Sequence, residues 1–343
     1  MTKRYVIVGA GAIGGGLGGL LIEARVPTIL VARGAHFDAM SSNGLTIHTP
    51  ERSFTVQPDL AVGPDSIRLG IDDVLVIATK TQQAEAALAE WADCPVHDGD
   101  TLVGTAGDRL PVLMALNGVA SEQLALRWFA RVYGICVWMP ATFLEPGDVT
   151  VRTSETYALL HTSRVPAALT DDDDRALLAE VRTDWARAGV DVPLPADVMP
   201  WKYRKLLANL ANSVNALIDD IEGVSDLIDQ ARTEAIEAYT TAGIVMNTEA
   251  EEESSRQALR IGKVPGQPGG VRSSTWQSMA RATGSSESDY LNGEIVAIAH
   301  QHGRTAPVNS AIASLMREAV RTGAKPGDLT EADLRARIDP GRS

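Results

Sequence analysis

The feature that most constrains this chain is a glycine-rich turn between an apolar strand and a helix. The β-branched run Tyr5-Val6-Ile7-Val8 predicts a buried strand of a parallel sheet. It leads directly into Gly9-Ala10-Gly11-Ala12-Ile13-Gly14, the pattern G-x-G-x-x-G. The first glycine of such a turn permits a tight bend, the second lets the backbone approach a pyrophosphate, and the third lets the helix pack against the strand. Because the helix N-terminus offers free N–H groups to phosphates, we predict a dinucleotide site formed by Gly9, Gly11, Ala12, Ile13 and Gly14.

The end of the second predicted strand indicates which coenzyme this site prefers. Sites that prefer NAD place an Asp or Glu about twenty residues beyond the turn, where it binds the ribose 2′-hydroxyl. Here the strand from Pro27 to Val31 continues into Ala32-Arg33, and the first carboxylate beyond it is Asp38. A guanidinium can instead bind a 2′-phosphate through charge-assisted hydrogen bonds. Unless Arg33 is simply a surface arginine, the site is predicted to take NADP(H).

The two halves of the chain differ in their predicted secondary structure. Predicted strands and helices alternate through the first half, which is typical of an α/β fold with a parallel sheet. From Met199 onward almost every predicted element is a helix, and three prolines between Pro193 and Pro200 mark the change. A length of 343 residues suits two domains. We therefore predict a Rossmann NADP-binding domain over residues 1–196 and a helical substrate and catalytic domain over residues 197–335.

Composition excludes several classes of partner. The formal net charge of −13 leaves no basic surface for a nucleic acid or an anionic membrane. No segment is long and apolar enough to span a bilayer. The two cysteines, Cys94 and Cys136, show neither metal-ligand spacing nor a disulfide framework. We therefore expect a cytoplasmic protein without a metal, because so few cysteines are typical of a reducing compartment.

A polar stripe lies on the first predicted helix of the second half, residues 201–217. Lys205 and Asn209 are four residues apart, so they share one face of that helix, and Asn212 and Ser213 extend the face by a turn. Leucines surround the stripe. Such a pattern is typical either of a solvated helix face or of the polar wall of a cleft, and the residues alone leave both interpretations open.

Several short motifs follow one another in a distinctive order. They are the glycine turn from Gly9, Thr79-Lys80 with Gln83, Asn117-Gly118, Lys205-x-x-x-Asn209, and Glu287-x-Asp289-Tyr290-Leu291-Asn292-Gly293. Each motif is weak by itself. Their order and spacing over residues 4–320 resemble the ketopantoate reductase (2-dehydropantoate 2-reductase) family.

The resemblance implies both a fold and a reaction. The fold is an N-terminal Rossmann domain followed by an all-helical C-terminal domain like that of 6-phosphogluconate dehydrogenase. The reaction is the NADPH-dependent reduction of a 2-keto acid to a 2-hydroxy acid, ketopantoate to pantoate or a close analogue, as in pantothenate biosynthesis. The implied partner is a small-molecule keto acid. The helical half could also associate as a homodimer, although no motif specifies this.

The resemblance also assigns roles to individual residues. Lys205 matches the catalytic lysine, the general acid that protonates the developing alkoxide. Glu287 matches a glutamate that engages the substrate side. The remaining matches are Asn209, which binds substrate, Asn117 near the nicotinamide and its ribose, Lys80 and Gln83 on the coenzyme side, and Ser274 or Thr275 at the position of a substrate-binding serine.

Three departures from the family pattern leave the substrate open. Leu116 stands where the family often has glutamine, Ser213 stands where it has a second asparagine, with Asn212 beside it, and Gly-Arg is absent before Glu287. An NADPH-dependent reductase of another carbonyl or an imine is therefore the alternative. A non-catalytic NADP(H)-binding protein is disfavoured, because Lys205, Asn209 and Glu287 are all present.

Overall fold

The computed structural model describes residues 3–219, 221–267, 272–282 and 284–338. These residues form two compact units, each considered by itself. The first lies within Met1–Leu116, Ser121–Met199 and Ala250–Val271, and the second within Asn117–Ala120, Pro200–Glu249 and Arg272–Ser343.

The strands of the described residues all belong to the first unit. In chain order they are β1 (Arg4–Val8), β2 (Thr28–Val31), β3 (Leu45–His48), β4 (Ser53–Val56), β5 (Asp59–Ala61), β6 (Leu69–Gly70), β7 (Asp73–Ile77), β8 (Pro95–Asp98), β9 (Thr101–Thr105), β10 (Pro111–Met114), β11 (Arg131–Trp138), β12 (Ala141–Thr142), β13 (Asp148–Val151), β14 (Thr153–Ser154), β15 (Ala158–Val165), β16 (Val190–Asp191) and β17 (Arg260–Ile261).

The helices are shared between the two units. In chain order they are α1 (Ala12–Glu23), α2 (Gly34–Asn43), α3 (Thr81–Ala92), α4 (Ala106–Arg109), α5 (Ser121–Ala125), α6 (Asp172–Ala186), α7 (Met199–Asn209), α8 (Ala211–Leu217), α9 (Ser225–Ala242), α10 (Glu249–Arg256), α11 (Ser274–Ala280), α12 (Asn292–Gln301), α13 (Pro307–Thr322) and α14 (Glu331–Ile338). Helices α1 to α6 and most of α10 belong to the first unit, and the others lie essentially in the second.

The first unit is built on an eight-stranded sheet in the order β16-β15-β11-β10-β7-β1-β2-β5. Six neighbouring strands of this sheet run parallel to one another, namely β5, β2, β1, β7, β10 and β11. The next strand, β15, pairs antiparallel with β11. Counted along the chain, these six strands have the order 3-2-1-4-5-6 of a dinucleotide-binding fold. The predicted α/β class and Rossmann topology of the N-terminal half are therefore confirmed.

Both faces of this sheet are covered. In β1, Tyr5 and Ile7 belong to one apolar core and Val6 and Val8 to another, because successive side chains of a strand point to opposite faces. All five residues of β7 are buried. Continuous apolar runs such as these are expected for parallel strands that lie between two layers.

Helix α1 forms despite five glycines, which have low helix propensity. A Cβ atom added at Gly18 would come within 2.3 Å of a Leu30 side-chain atom, and one added at Gly19 within 2.5 Å of Ile47. Close packing against strands on two sides therefore requires glycine along this helix and outweighs its poor propensity.

A second sheet and a late segment complete the first unit. The four-stranded sheet has the order β12-β13-β3-β4. Strand β17, far along the chain, pairs antiparallel with β14, opposing Ile261 to Thr153. The side chain of His161 in β15 also bonds to Ser255 in α10, at 2.7 Å from Nε2 to Oγ. Residues 250–267 thus belong structurally to the first unit.

The second unit is helical and has its own apolar core. That core contains residues of α8, α9 and α13, among them Val214, Leu227 and Ile312. The carboxylate of Glu234 in α9 accepts hydrogen bonds from the backbone N–H groups of Val308 and Asn309, at 2.8 and 3.0 Å. It thereby satisfies N–H groups that the first turn of α13 leaves without helical partners.

The helix predicted over residues 201–217 is interrupted at Leu210, between α7 and α8. The side chain of Asn292 donates to the Leu210 carbonyl at 3.2 Å, and a side chain inserted into the helical ladder is a common cause of such breaks. After Glu287 a short 3₁₀ turn over Ser288–Tyr290 precedes α12, which begins at Asn292.

The division between the units at Met199 and Pro200 lies close to the predicted boundary at 196/197. Two described segments depart from a simple two-part chain, residues 117–120 in the second unit and residues 250–267 in the first. Among the described residues, none of the helices combines the length and apolarity needed to cross a membrane. The same residues contain no cluster of His, Cys, Asp and Glu suited to a metal ion.

Candidate active site

The glycine turn lies at the carboxyl end of β1, where the order of the parallel strands reverses. Ligands of such sheets bind at this position. Gly9 has φ = +101°, and a Cβ there would lie 3.0 Å from the Ala78 carbonyl group. A Cβ on Gly14 would lie 2.0 Å from the Gly9 carbonyl oxygen, so the turn and the helix can only meet with glycine at both positions.

Gly11 differs from Gly9 and Gly14, because no heavy atom of the described residues other than its own chain neighbours lies within 4 Å of where its Cβ would be. It is the N-cap of α1, and the first turn of that helix, beginning with Ala12 and Ile13, contains no acidic residue. The N-terminus therefore presents backbone N–H groups beside open space, without a competing carboxylate. This arrangement fits the pyrophosphate of a dinucleotide.

Arg33 stands at the end of β2, as predicted, and its side chain is 64% exposed. Its Nε donates to the Val62 carbonyl at 2.9 Å, and its Nη2 lies 2.6 Å from Oε1 of Glu90. The guanidinium is thus available to a ligand but already faces a carboxylate from α3. No feature of the sequence predicted that this carboxylate would lie beside Arg33.

Two further predicted coenzyme residues begin α3. Lys80 is the N-cap of this helix, and its backbone N–H lies 3.4 Å from Oε1 of Gln83. The preceding residue, Thr79, was not among the predicted contacts. Its Cγ2 lies 3.0 Å from where a Cβ on Gly9 would be, and its buried Oγ1 has no hydrogen-bond partner within the described ranges. Thr79 is therefore a candidate coenzyme contact, signalled in the sequence only by its place after a strand.

In the second unit, Lys205 and Asn117 meet directly. The half-buried Lys205 donates from Nζ to Oδ1 of Asn117 at 2.6 Å. Gly118 has φ = +76°, and a Cβ there would lie 2.7 Å from the Tyr290 carbonyl oxygen. Glycine at this position therefore lets the Asn117 turn approach the segment that follows Glu287.

Three other predicted substrate residues carry buried polar atoms that lack a hydrogen-bond partner in the described part of the chain. These atoms are Nδ2 of Asn209, Oγ of Ser274 and Oγ1 of Thr275. Asn209 ends α7, one turn beyond Lys205, and Ser274 begins α11. The N-cap of α11, Ser273, donates to the Asn212 carbonyl at 3.1 Å and so fixes α11 against α8. Buried polar groups without partners are costly, so these three atoms are candidates for contacts with a ligand.

The last two predicted residues are also buried. Glu287 is 4% exposed and immediately precedes the 3₁₀ turn. Ser213 is fully buried, with its Oγ 3.0 Å from Ser288 Oγ and 3.3 Å from Asn292 Oδ1. Those bonds are typical of a packing role, and the substrate role of Ser213 stays a prediction.

Comparison with known families decides the relationship. The model of the family described as ketopantoate reductase PanE/ApbA matches residues 5–161, and the model of its C-terminal part matches residues 197–320. This chain belongs to the ketopantoate reductase family. As a ketopantoate reductase family member, it is an oxidoreductase.

Relatives of known name cover most of the chain at low identity. The 2-dehydropantoate 2-reductase of Pyrococcus horikoshii is 25% identical over 316 residues, 92% of this chain and 96% of that protein. The enzyme of the same name from Mesorhizobium japonicum is 29% identical over 232 residues, 62% of this chain and 67% of that protein.

Solved structures share the fold. A PanE/ApbA family ketopantoate reductase from Ralstonia eutropha JMP134 aligns with a TM-score of 0.73 at 23% identity, over 93% of this chain and 99% of that one. A D-mandelate dehydrogenase, solved with NADH and anilino(oxo)acetate, aligns with a TM-score of 0.75 at 16% identity, over 94% of this chain and 99% of that one. At such identities the likeness concerns the fold of the family and leaves the substrate open.

Proposed function

We propose that this ketopantoate reductase family member reduces a 2-keto acid, ketopantoate or a close analogue, to the 2-hydroxy acid. The observation that carries the proposal is the 2.6 Å hydrogen bond from Lys205 Nζ to Asn117 Oδ1. A carbonyl reductase needs a proton donor with a fixed direction, and this bond holds an ammonium group in one direction. The buried donors on Asn209, Ser274 and Thr275 then provide partners for the carboxylate and hydroxyl groups of such a substrate.

In this reaction a hydride adds to the carbonyl carbon and a proton adds to the carbonyl oxygen. The nicotinamide coenzyme supplies the hydride when bound. Lys205 donates a hydrogen bond to the carbonyl oxygen, stabilises the charge that develops there, and transfers the proton that completes the hydroxyl group. Asn117 orients the ammonium through its amide oxygen. Glu287 is assigned to the substrate side.

For the coenzyme we propose NADP(H), bound by the first unit. The glycine turn accepts the pyrophosphate that NADP and NAD share, so it does not distinguish them. The distinction rests on Arg33, whose exposed guanidinium at the end of β2 suits a 2′-phosphate. Lys80, Gln83 and Thr79 are further coenzyme contacts in this proposal.

The physiological setting proposed is the cytoplasm, with the product entering pantothenate biosynthesis. Within the described residues neither Cys94 nor Cys136 forms a disulfide, and reduced cysteines suit a reducing compartment. The substrate domain is assigned to residues 197–335 and the coenzyme domain to residues 1–196.

The proposal is tested with Lys205→Met and a matched control, Lys325→Met, at an exposed lysine of the same unit. We expect Lys205→Met to bind NADPH as the wild type does and to reduce ketopantoate about a thousandfold more slowly, the size expected for loss of a general acid. The control should retain full turnover. Turnover by Lys205→Met within tenfold of the wild type would remove Lys205 from the chemistry.

The substrate is tested with a panel of 2-keto acids that includes ketopantoate, branched and aryl examples, together with an aldehyde and an imine. NADPH oxidation by the wild type is followed for each compound. The highest kcat/KM should belong to a 2-keto acid. Preference for the aldehyde or the imine would instead favour a reductase of a different substrate class.

A further inference from the structure

The charge of Arg33 is opposed by Glu90 in the structure. The Arg33 Nη2 and Glu90 Oε1 atoms are 2.6 Å apart, and the side chains are 64% and 39% exposed. Glu90 comes from the last turns of α3, 57 residues along the chain, whereas Arg33 directly follows β2. A carboxylate therefore stands beside the guanidinium that the coenzyme assignment depends on.

The surroundings leave this ion pair open to a ligand. Gly63 lies beside the pair, and a Cβ added there would lie 3.4 Å from both Arg33 Nη2 and Glu90 Oε1. Glycine at this position means that no side chain covers the pair from that direction. The second anchor of the guanidinium is the Val62 carbonyl, 2.9 Å from Nε. Because Nε is held by the backbone, Arg33 stays at the end of β2 whether or not Glu90 remains bonded to it.

Glu90 acts differently on the two forms of the coenzyme. A 2′-phosphate bound by Arg33 would lie within a few ångströms of a second negative charge, and like charges at such distances repel. The phosphate must also displace an existing carboxylate from the guanidinium. A ribose 2′-hydroxyl carries no charge and can donate a hydrogen bond to a carboxylate, as acidic residues do in NAD-preferring sites.

We propose that Glu90 is a specificity-determining residue that weakens the preference of this site for NADP(H) over NAD(H). The proposal rests on the proposed coenzyme site at Arg33. Arg33 attracts the 2′-phosphate and Glu90 opposes it, so the preference of the wild type for NADP(H) is smaller than Arg33 alone would give.

The test compares Glu90→Gln with Glu85→Gln, an exposed glutamate of the same helix. Affinities for NADPH and NADH are measured by titration calorimetry on the full chain, and the adenosine end is isolated with 2′,5′-ADP and 5′-AMP. We expect Glu90→Gln to raise the affinity ratio of NADPH to NADH by about tenfold, with the same shift between 2′,5′-ADP and 5′-AMP. Glu85→Gln should leave both ratios within twofold of the wild type.

Two results would overturn the proposal. An unchanged ratio in Glu90→Gln would show that Glu90 does not influence the 2′ position. A lower ratio would show that Glu90 instead orients Arg33 for the phosphate. Failure of the coenzyme assignment itself is visible separately, because Arg33→Ala would then leave NADPH affinity unchanged. These binding measurements do not depend on which keto acid is reduced.

Discussion

Lys205 donates a hydrogen bond from Nζ to Oδ1 of Asn117 over 2.6 Å, and the two residues are 88 positions apart in the chain. Lys205 lies in α7, whereas Asn117 follows strand β10 and belongs to a four-residue segment of the second unit. The bond fixes the direction of the ammonium group. Orientation of this kind is a large part of what a protein contributes to a proton transfer.

Asn117→Ala should therefore lower kcat much more than it raises the KM for the keto acid. The Lys205 ammonium remains but loses the Asn117 oxygen that orients it. We therefore expect kcat to fall roughly 10- to 100-fold. Steady-state kinetics with ketopantoate separates the two parameters. An effect confined to KM would assign Asn117 to binding instead of positioning, and partial recovery in Asn117→Gln would support the role of the amide oxygen.

Thr275→Val tests whether the buried polar atoms are kept for a ligand. Oγ1 of Thr275 is buried and has no partner within the described residues. Valine has nearly the same shape, so the free energy of unfolding should stay equal or rise by up to about 1 kcal/mol. The KM for the keto acid should rise about tenfold, because each 1.4 kcal/mol of lost binding corresponds to that factor. Chemical denaturation and kinetics are measured on one preparation, and a stability loss without a KM change would make Thr275 a packing residue.

Much of the fold could be predicted because its signals are local. The apolar run at Tyr5, the glycine turn and the strand ending at Val31 lie in one continuous stretch, and the structure places β1, α1 and β2 there. The helical second half predicted from Met199 onward is confirmed, for example by α9, Ser225–Ala242. The predicted catalytic residues, in contrast, were assigned through the order of family motifs, and Lys205 and Asn117 are brought together only by the tertiary structure.

The features that escaped prediction depend on distant partners. The break at Leu210 requires Asn292, 82 residues away. Strand β17 forms only by pairing with β14. Its two residues are both exposed, so no alternation of buried and exposed side chains marks them as a strand. Glu90 is an exposed glutamate on a helix, which is unremarkable until Arg33 is seen beside it. Local periodicity reports which face of an element is buried, but it does not report what that face meets.

His36→Phe should weaken NADPH and NADH binding alike. The Gly147 N–H donates to Nδ1 of His36 at 3.0 Å, so the ring proton is on Nε2, which donates to the Ala10 carbonyl at 2.7 Å. Ala10 lies inside the glycine turn. Phenylalanine keeps an aromatic ring at position 36 but can form neither of these two hydrogen bonds. We expect both dissociation constants to rise about fivefold to tenfold, the equivalent of one lost hydrogen bond. Calorimetric titration checks this, and weakening of NADPH alone would contradict a role in the shared pyrophosphate site.

Asp174→Ala should be strongly destabilising. Asp174 is 1% exposed, lies 2.9 Å from Arg131 Nη2 and 3.5 Å from Arg164 Nε, and accepts a hydrogen bond from Tyr133. Its removal leaves the buried Arg164 guanidinium without a carboxylate, which costs about 3–5 kcal/mol. The control is Asp172→Ala, an exposed neighbour in the same helix, which should change the unfolding free energy by less than about 0.5 kcal/mol. Equal effects in urea denaturation would show that the cluster contributes little.

The buried His161 should make the protein less stable in mild acid. Burial lowers the pKa of His161 from its ordinary 6.5 to about 4. Between pH 6.5 and pH 4 this histidine is therefore mostly protonated in the unfolded chain but mostly neutral in the folded protein. Stability from this group is therefore constant above pH 6.5, falls as the pH drops toward 4, and levels off below it, with a loss of about 2 kcal/mol between pH 7 and pH 5. His161→Gln, which keeps a polar group beside Ser255, should remove that part of the pH dependence. His300→Gln, at an exposed histidine, should not. Guanidinium denaturation at both pH values measures the difference, and an equal acid loss in wild type and His161→Gln would show that His161 is not its source.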